Sequence, residues 1–256
     1  MTVGRAPSLP TAYRLVALER AESTNETARE LARGGAEDGT LVWALEQTKG
    51  RGRQGSDWAS PPGNLYCSLV LRPECPVARA SELSFLAALA VGGMLGGLVP
   101  PLTDLRYKWP NDVLLNDRKV SGILLESAAA ANGALDFLVL GVGVNVVSSP
   151  RDAAFPASSM REEGGDPVEV ADVLESFAKH FMAWTDRWLD EGFAPVREAW
   201  LKRAWRLGER LEVGLGGEAA SGRFRGLSPD GTLELELDGG AVRRIAAGDV
   251  RRARAG

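Results

Sequence analysis

The chain has very few of the residues on which much catalytic and metal chemistry relies. Its 256 residues include one histidine, His180, and two cysteines, Cys67 and Cys75. One imidazole rules out a multi-histidine metal site. No Ser/His/Asp or Cys/His arrangement can be assembled, which argues against hydrolysis through an activated nucleophile. The cysteines have neither metal nor redox spacing, as suits a reducing compartment. Lysine is scarce as well, five against 25 arginines, so each lysine carries more weight. A net charge of −4 and a pI near 5.3 argue against a general nucleic-acid binder. Long apolar runs are missing too. The longest, residues 83–99, carries four glycines and meets Pro100-Pro101; it falls short of the ~20 residues a membrane span needs and reads as a buried helix. Residues 1–10 are polar and contain prolines, so no signal peptide is expected and the chain reads as a soluble, cytoplasmic protein.

What is present is 45% apolar content, enough for one large domain or one large and one small, and an unusual glycine-rich loop. The loop runs Gln47-Thr-Lys-Gly-Arg-Gly-Arg-Gln-Gly-Ser-Asp-Trp58, after the apolar segment Leu41–Leu45. Glycines let backbone N–H groups approach an anion, and Lys49, Arg51 and Arg53 bring charge to the same stretch. Gly50, Gly52 and Gly55 satisfy the dinucleotide spacing G-x-G-x-x-G, which needs a helix to begin at the last glycine. Ala59-Ser-Pro-Pro-Gly-Asn64 follows instead and cannot be helical. A P-loop would need Lys-Ser/Thr after Gly55, where Ser56-Asp57 stands. The loop is therefore either a basic surface turn or an anion site of a third kind.

Period-2 and period-3.6 patterns place the remaining elements. Strands are expected over 13–18, 41–45, 65–71, 105–109, 113–115, 120–125 and 137–147, with Asn116-Asp-Arg-Lys119 as the turn between two of them. Helices are expected after Ser23, after Ser81, over 167–189 with His180 in a structural role, and over 195–205. Ser23-x-x-Glu26 has the spacing of a capping box. From residue 207 short alternating segments at 211–215, 222–226, 233–237 and 241–245 read as a small antiparallel barrel or sandwich. The fold class is thus α/β, with a mixed α/β domain over 1–205 and an all-β domain over 206–256.

Several polar groups gather at strand ends and strand–loop junctions: Ser23, Thr24, Asn25, Gln47, the Arg51/Arg53 loop, Lys108, Asn111, Asp112, Lys119 and Asn145. Each has an ordinary structural reading: helix caps for Ser23 to Asn25, an Asx turn for Asp112, a hairpin lysine for Lys119. Taken together they suit an anionic, nucleotide-containing small molecule. A carboxylate such as Asp112 beside phosphate-binding cations suggests Mg²⁺. Gly141 and Gly143 interrupt a strand where a ligand or another backbone comes close.

The ordered runs Glu22-Ser-Thr-Asn-Glu26, Gln47 to Gly55, Lys108-Trp-Pro-Asn-Asp112, Asp117 to Glu126 and Gly141-Val-Gly-Val-Asn145 resemble those of the bacterial biotin protein ligases. The resemblance spans roughly residues 10–250. It implies a catalytic domain like that of class II aminoacyl-tRNA synthetases, a mixed sheet flanked by helices, and a C-terminal SH3-like β-barrel. It further implies an ATP- and Mg²⁺-dependent ligase that forms biotinyl-5′-AMP and passes biotin to a lysine of a biotin carboxyl carrier domain of acetyl-CoA carboxylase or a related carboxylase. In that reading Ser23, Thr24, Asn25 and Gln47 bind biotin, with Gly122 beside its ring. Arg51, Gly52 and Arg53 belong to a lid over the adenylate. Lys119 holds the biotin carboxylate and α-phosphate. Trp58, Asn111 and Asn145 face the adenine side, and Asp112 with Lys108 organises the Mg²⁺–phosphate end. With only 22 residues before Ser23, no operator-binding domain is expected, and neither nucleic acid nor membrane is a partner; the resemblance leaves room for a homodimer. The alternatives are a lipoate or octanoate ligase of the same fold and a non-catalytic biotin sensor.

Overall fold

A computed structural model describes residues 5–73, 75–76, 79–129 and 135–252. The apolar segments form a seven-stranded sheet in the order β1-β2-β3-β7-β6-β5-β4. The strands are β1 (Arg14–Ala21), β2 (Thr40–Gln47), β3 (Leu65–Leu71), β4 (Leu105–Lys108), β5 (Asp112–Leu115), β6 (Arg118–Ala129) and β7 (Leu135–Val144). Only β1 and β2 run parallel, joined by the helix α1 (Thr24–Arg33). Alternate residues of each strand serve opposite faces. Val42, Val70, Phe137 and Val139 pack under Ala28 and Ala32 of α1. Leu41, Trp43, Leu69, Leu138 and Leu140 face the larger core, which holds α2 (Glu82–Gly96). Twelve of the fifteen α2 residues are buried. That is why its sequence is apolar on every side: the sheet covers one side, while α3 (Val170–Glu191) and α4 (Ala194–Leu201) pack on others. His180 of α3 is structural. Its Nδ1 lies 2.8 Å from Ser176 O, and its ring lies where a side chain on Gly93 would stand.

The structure departs most from the sequence expectations at three element boundaries and in one strand count, each for a visible reason. The β5–β6 turn is Asn116-Asp117 alone, with φ of 47° and 62°. Asn and Asp tolerate this left-handed backbone, so a two-residue hairpin turn suffices. Lys119 is therefore a strand residue and not a turn residue. β7 stops at Val144 because the Asn64 side-chain oxygen accepts the N–H groups of Val146 and Val147, both at 2.9 Å, and bends the chain away. α4 stops at Leu201, short of Trp205. Tyr107 N donates to Arg203 O (2.8 Å) and Trp205 N to Tyr107 O (2.7 Å), so these residues shield the free edge of β4. Finally, the C-terminal unit has five strands where four were expected.

Those strands are β8 (Arg210–Gly214), β9 (Ala219–Leu227), β10 (Leu233–Glu236), β11 (Val242–Ile245) and β12 (Asp249–Arg252), paired antiparallel as β11-β10-β9-β8-β12 in an SH3-like arrangement. β12 was not foreseen because Asp-Val-Arg-Arg has a single apolar residue and no alternation to read. The turn between β9 and β10 docks on the large core. Gly231 O accepts Trp109 Nε1–H at 3.2 Å, and Gly231 itself rests on Phe85 and Phe193.

Gly231 has a φ of +82°, and a Cβ there would lie 2.8 Å from Cε2 of the buried Phe85 ring. Gly231→Ala is expected to destabilise the protein by about 1–3 kcal/mol through backbone strain and overpacking. Urea denaturation measures this, and an unchanged midpoint would contradict the docking role.

Candidate active site

On the α1 side of the large sheet, β3, β7 and β6 lie next to one another and form a floor in which three positions, Gly122, Gly141 and Gly143, have no side chain. Gly141 pairs with Ser68 and Leu124, and Gly143 pairs with Tyr66 and Gly122. A Cβ on Gly141 would overlap the Asn25 side-chain oxygen. One on Gly143 would stand 2.6 Å from Trp58 Nε1, and one on Gly122 2.9 Å from Trp58 Cζ3. The close approach expected at Gly141 and Gly143 is thus made here by the chain's own Asn25 and Trp58. The cleft above this floor measures about 1560 Å³ and is lined by all the residues singled out in the sequence: the Ser23–Asn25 corner, Gln47, the Arg51–Arg53 loop, Trp58, Lys108, Asn111–Asp112, Lys119, Gly122 and Asn145.

One end of the cleft is neutral and polar. Ser23 precedes α1, but its side chain makes no bond to the helix, so the capping box does not form. Glu26 instead pairs with Arg29 (3.1 Å) and Arg51 (2.6 Å). Gln47 Oε1 accepts Thr24 N–H at 2.8 Å, and Gln47 Nε2 donates to Ser60 Oγ at 2.9 Å. The Asn25 amide donates to Glu126 Oε2 (2.7 Å) and accepts from the fully buried Ser68 (2.6 Å).

The other end is charged. Asp112 Oδ1 meets Lys119 Nζ at 2.6 Å and its Oδ2 meets Lys108 Nζ at 3.2 Å. Burial alone would push this carboxyl up, but Lys119 and Lys108 together outweigh it and hold the group below its ordinary 3.8. Lys108 is 2% exposed and also lies 4.7 Å over the Phe155 ring. Lys119 is 26% exposed and lies 5.3 Å over Trp58, so it is the ammonium within reach of a ligand. Arg53 joins this end from the loop, donating to Gly248 O at 3.2 Å and approaching Asn111 Oδ1 at 3.4 Å. Burial lowers its guanidinium pKa, opposed by Asp112 and Asp249. Lys108, Lys119 and Arg53 stand against the carboxylates of Asp112 and Asp249, which leaves an excess of positive charge suited to anions.

The loop itself folds differently from the sequence reading. Its three cations do not share a target: Lys49 pairs with Glu22 (3.0 Å), Arg51 with Glu26, and only Arg53 turns to the charged end. Gly52 N donates to Ser56 O at 2.7 Å, and Gly50 lies against Trp58 and Ser60, so these glycines let the loop pack on itself. Asn145 is aimed by its amide donating to Ser158 O at 2.9 Å; its oxygen is buried without a donor, and Trp58 Nε1–H is buried without an acceptor, among the described residues. Both Asp112 oxygens are taken by lysines, and among the described residues no three His, Cys, Asp or Glu side chains gather as a metal cage. A protein-held Mg²⁺ at Asp112 does not fit these groups. The residues missed from sequence are Ser60, Ser68, Phe155 and the Gly248-Asp249 corner of the barrel, whose Asp249 lies 3.5 Å from Lys108. None carries a local signal; only the tertiary fold brings them here.

Comparison with known proteins bears on what such a cleft holds. Residues 56–202 match the biotin/lipoate A/B protein ligase family, and residues 207–251 match the biotin protein ligase C-terminal domain. A biotin–[acetyl-CoA-carboxylase] ligase of Paracoccus denitrificans is 42% identical over 85% of this chain and 92% of its own length. The bifunctional ligase/repressor BirA of Bacillus subtilis is 34% identical over 89% of this chain and 70% of its own. Among solved structures, the biotin protein ligase from Aquifex aeolicus in complex with biotin and ATP superposes with a TM-score of 0.79, at 28% identity, over 94% of this chain and 99% of that one.

Removing the countercharge at the charged end should cost stability. Asp112→Asn leaves Lys108 buried against a neutral amide, an expected loss of about 3 kcal/mol near neutral pH. Because the carboxyl is depressed when folded, its contribution is complete above the unfolded value of 3.8 and is lost as pH falls through the lower folded value. The difference between wild type and variant in urea denaturation should therefore shrink in acid. A gap that persists there would contradict the assignment.

Proposed function

The chain belongs to the biotin protein ligase family, and from that premise we propose how its cleft performs the reaction. The enzyme is an ATP-dependent ligase that activates biotin to biotinyl-5′-AMP and transfers it to a lysine of the biotin carboxyl carrier domain of acetyl-CoA carboxylase. The observation that carries the reading is the polarity of the cleft: neutral hydrogen-bonding groups at one end and an excess of cations at the other, with a glycine floor between them on which Asn25 and Trp58 rest.

Biotin has that same polarity, a neutral urea at one end and a carboxylate at the other. Ser23, Thr24 and Gln47 take the urea, and the valerate chain runs over the floor past Gly122. Lys119 receives the carboxylate. A carboxylate oxygen then attacks the α-phosphorus of ATP, the bond to the β-phosphate oxygen breaks, and pyrophosphate leaves. Two anions must meet for this step, so Lys119 and Arg53 screen them and stabilise the charge that builds at phosphorus. Asp112 orients Lys119 and Lys108 through its two oxygens. Asn145 offers its unpaired oxygen to the adenine amino group, while Trp58 and Asn111 border the base. In the second step the carrier lysine amine attacks the biotinyl carbonyl, the bond to the phosphate oxygen breaks, and AMP departs. No covalent enzyme intermediate is needed, in keeping with the shortage of nucleophiles. The loop around Gly50–Gly55 acts as the lid that keeps water from the mixed anhydride. Residues 1–205 form the catalytic unit, and the barrel of 206–256 closes the charged end through Gly248 and Asp249.

Incubation with ATP, Mg²⁺ and biotin, lipoate or octanoate, followed by mass spectrometry, tests the assignment. Biotinyl adenylate is expected; an adenylate of lipoate or octanoate alone would overturn it. Biotin binding without pyrophosphate release would make the chain a sensor.

Two substitutions probe the roles. Lys119→Ala should slow adenylate formation by about a hundredfold or more while leaving the fold intact; a rate near wild type removes Lys119 from the site. Arg53→Gly should let the activated intermediate escape, read as biotin label on bystander proteins. Tight retention in that variant would count against the lid.

A further inference from the structure

Glu126 lies outside the cleft, and the chemistry above makes no use of it. It sits on β6 on the same sheet face as Gly122, two residues beyond Leu124, which pairs with Gly141. Its carboxylate is engaged at both oxygens: Arg29 of α1 donates to Oε1, and Asn25 Nδ2 donates to Oε2 at 2.7 Å. Both charged partners are largely shielded, with side-chain exposures of 25% and 21%.

The chain of hydrogen bonds that starts here has a fixed direction. A carboxylate can only accept, so the amino side of the Asn25 amide must face Glu126 and its oxygen must face Ser68. Ser68 is fully buried, and its one hydrogen goes to that oxygen at 2.6 Å. Ser68 therefore has only lone pairs for Thr24 Oγ1, 2.8 Å away. The Thr24 hydroxyl hydrogen has two acceptors in reach, Ser68 Oγ and Gln47 Oε1 at 3.1 Å, and both lie within the protein. Whichever it takes, Thr24 presents a lone pair to the cleft. Gln47 is fixed in the opposite sense. Its oxygen accepts Thr24 N–H and its amino group donates to Ser60, which leaves one N–H free. The neutral end thus offers one acceptor and one donor side by side, a pattern that suits a ligand group with an N–H next to a carbonyl.

We propose that Glu126, held by Arg29, is a positioning residue that acts through Asn25 and Ser68 to set the hydrogen-bond polarity of Thr24. Asn25 is a link in this relay, buried over Gly141 with both ends of its amide engaged, and it does not need to touch the ligand. The inference rests on the biotin reading of the cleft and adds to it a specificity determinant remote from the ligand. Arg29 also reaches Glu26, which holds Arg51 of the loop, so the same arginine ties the relay to the lid.

Glu126→Gln tests this at almost unchanged volume. A neutral amide no longer dictates the Asn25 orientation. Once Asn25 flips, the Ser68 hydrogen turns to Thr24, which leaves the long 3.1 Å contact to Gln47 Oε1 as the single internal acceptor for the Thr24 hydrogen, so that hydrogen competes for the cleft and the acceptor offered there is weakened. The expected result is a KM for biotin raised about tenfold or more, with kcat and the KM for ATP within about twofold of wild type. Glu126→Asp is the control. It keeps an acceptor-only group but is shorter, so it should raise the biotin KM less than Glu126→Gln does; a purely packing role gives the reverse order, because Asp leaves the larger gap. Ser68→Ala should raise the biotin KM similarly and add little in the Glu126→Gln background. If Glu126→Gln keeps the wild-type KM for biotin, or if Asp is the worse substitution, the relay is overturned while the ligase reading stands. If the wild-type protein makes no biotinyl adenylate, the ligase reading and the relay fall together.

Discussion

A buried carboxylate shared by two ammonium groups sets the terms for the rest of this molecule. Lys108 is almost wholly out of water, and an isolated ammonium there would be too costly to keep charged. Asp112 makes it tolerable, and the same carboxylate reaches out to the more exposed Lys119. Alone, Lys108 and Lys119 against Asp112 and the nearby Asp249 would be a balanced structural ion cluster. Arg53 enters from a loop some sixty residues earlier in the chain, and with it the balance shifts to a surplus of positive charge at the end of an open cleft. The barrel takes part in holding that surplus. Gly248 O accepts from Arg53, and Asp249 stands near Lys108. The docking of Gly231 on Phe85 and Phe193 therefore matters to the charged end as well as to the core.

The floor of the cleft answers a different constraint. A ligand with a polar head, an apolar middle and an anionic tail needs a smooth surface between two differently charged ends. Three glycines on adjacent strands supply it, at Gly122, Gly141 and Gly143. Such a floor weakens a sheet, since glycine packs nothing and loses more entropy on ordering. The opposite face compensates, because Leu138, Leu140, Val142 and Val144 of the same strand are buried in the main core. Strand alternation separates the two tasks, with stability on the α2 side and binding on the α1 side.

Much of this could be read in the sequence, and what could not has a physical pattern. The strand at 65–71, the apolar α2 and the glycine breaks in β7 follow from periodicity and from the special conformational place of glycine. Lys108, Asp112 and Lys119 were legible as a group because lysine is scarce and their run resembles a known family. Boundaries failed where side chains from distant segments intervened: Asn64 ended β7, and Tyr107 ended α4 by capturing residues 203–205. The loop was misread in a similar way. Its charges are convergent in one dimension, but Glu22 at the end of β1 and Glu26 in the first turn of α1 claim two of the three. Ser68 looks like any strand serine, and Glu126 like the polar end of an exposed strand. Their roles appear only when α1, β3 and β6 are brought together.

That last juxtaposition bears on how the two ends of the cleft are connected. Thr24 and Asn25 begin α1, and one turn later Arg29 spans from Glu126 on the sheet to Glu26 at the loop. Glu26 in turn holds Arg51, two residues from the Arg53 that serves the charged end. The path is continuous through hydrogen bonds and ion pairs, and most of its members have only one satisfactory arrangement. Hydroxyl and amide groups are adaptable donors and acceptors; a carboxylate is not, and neither is a guanidinium. Placing Glu126 and Arg29 behind the adaptable groups removes their freedom before the ligand arrives, so that binding need not supply the ordering. The exposed end of the path, Glu26 with Arg51, is the weaker part, since a partly solvated ion pair contributes little and is screened by salt. A rigid interior and a loosely held rim are what the proposed recognition of a small molecule with fixed polarity, followed by entry of a much larger partner, would require.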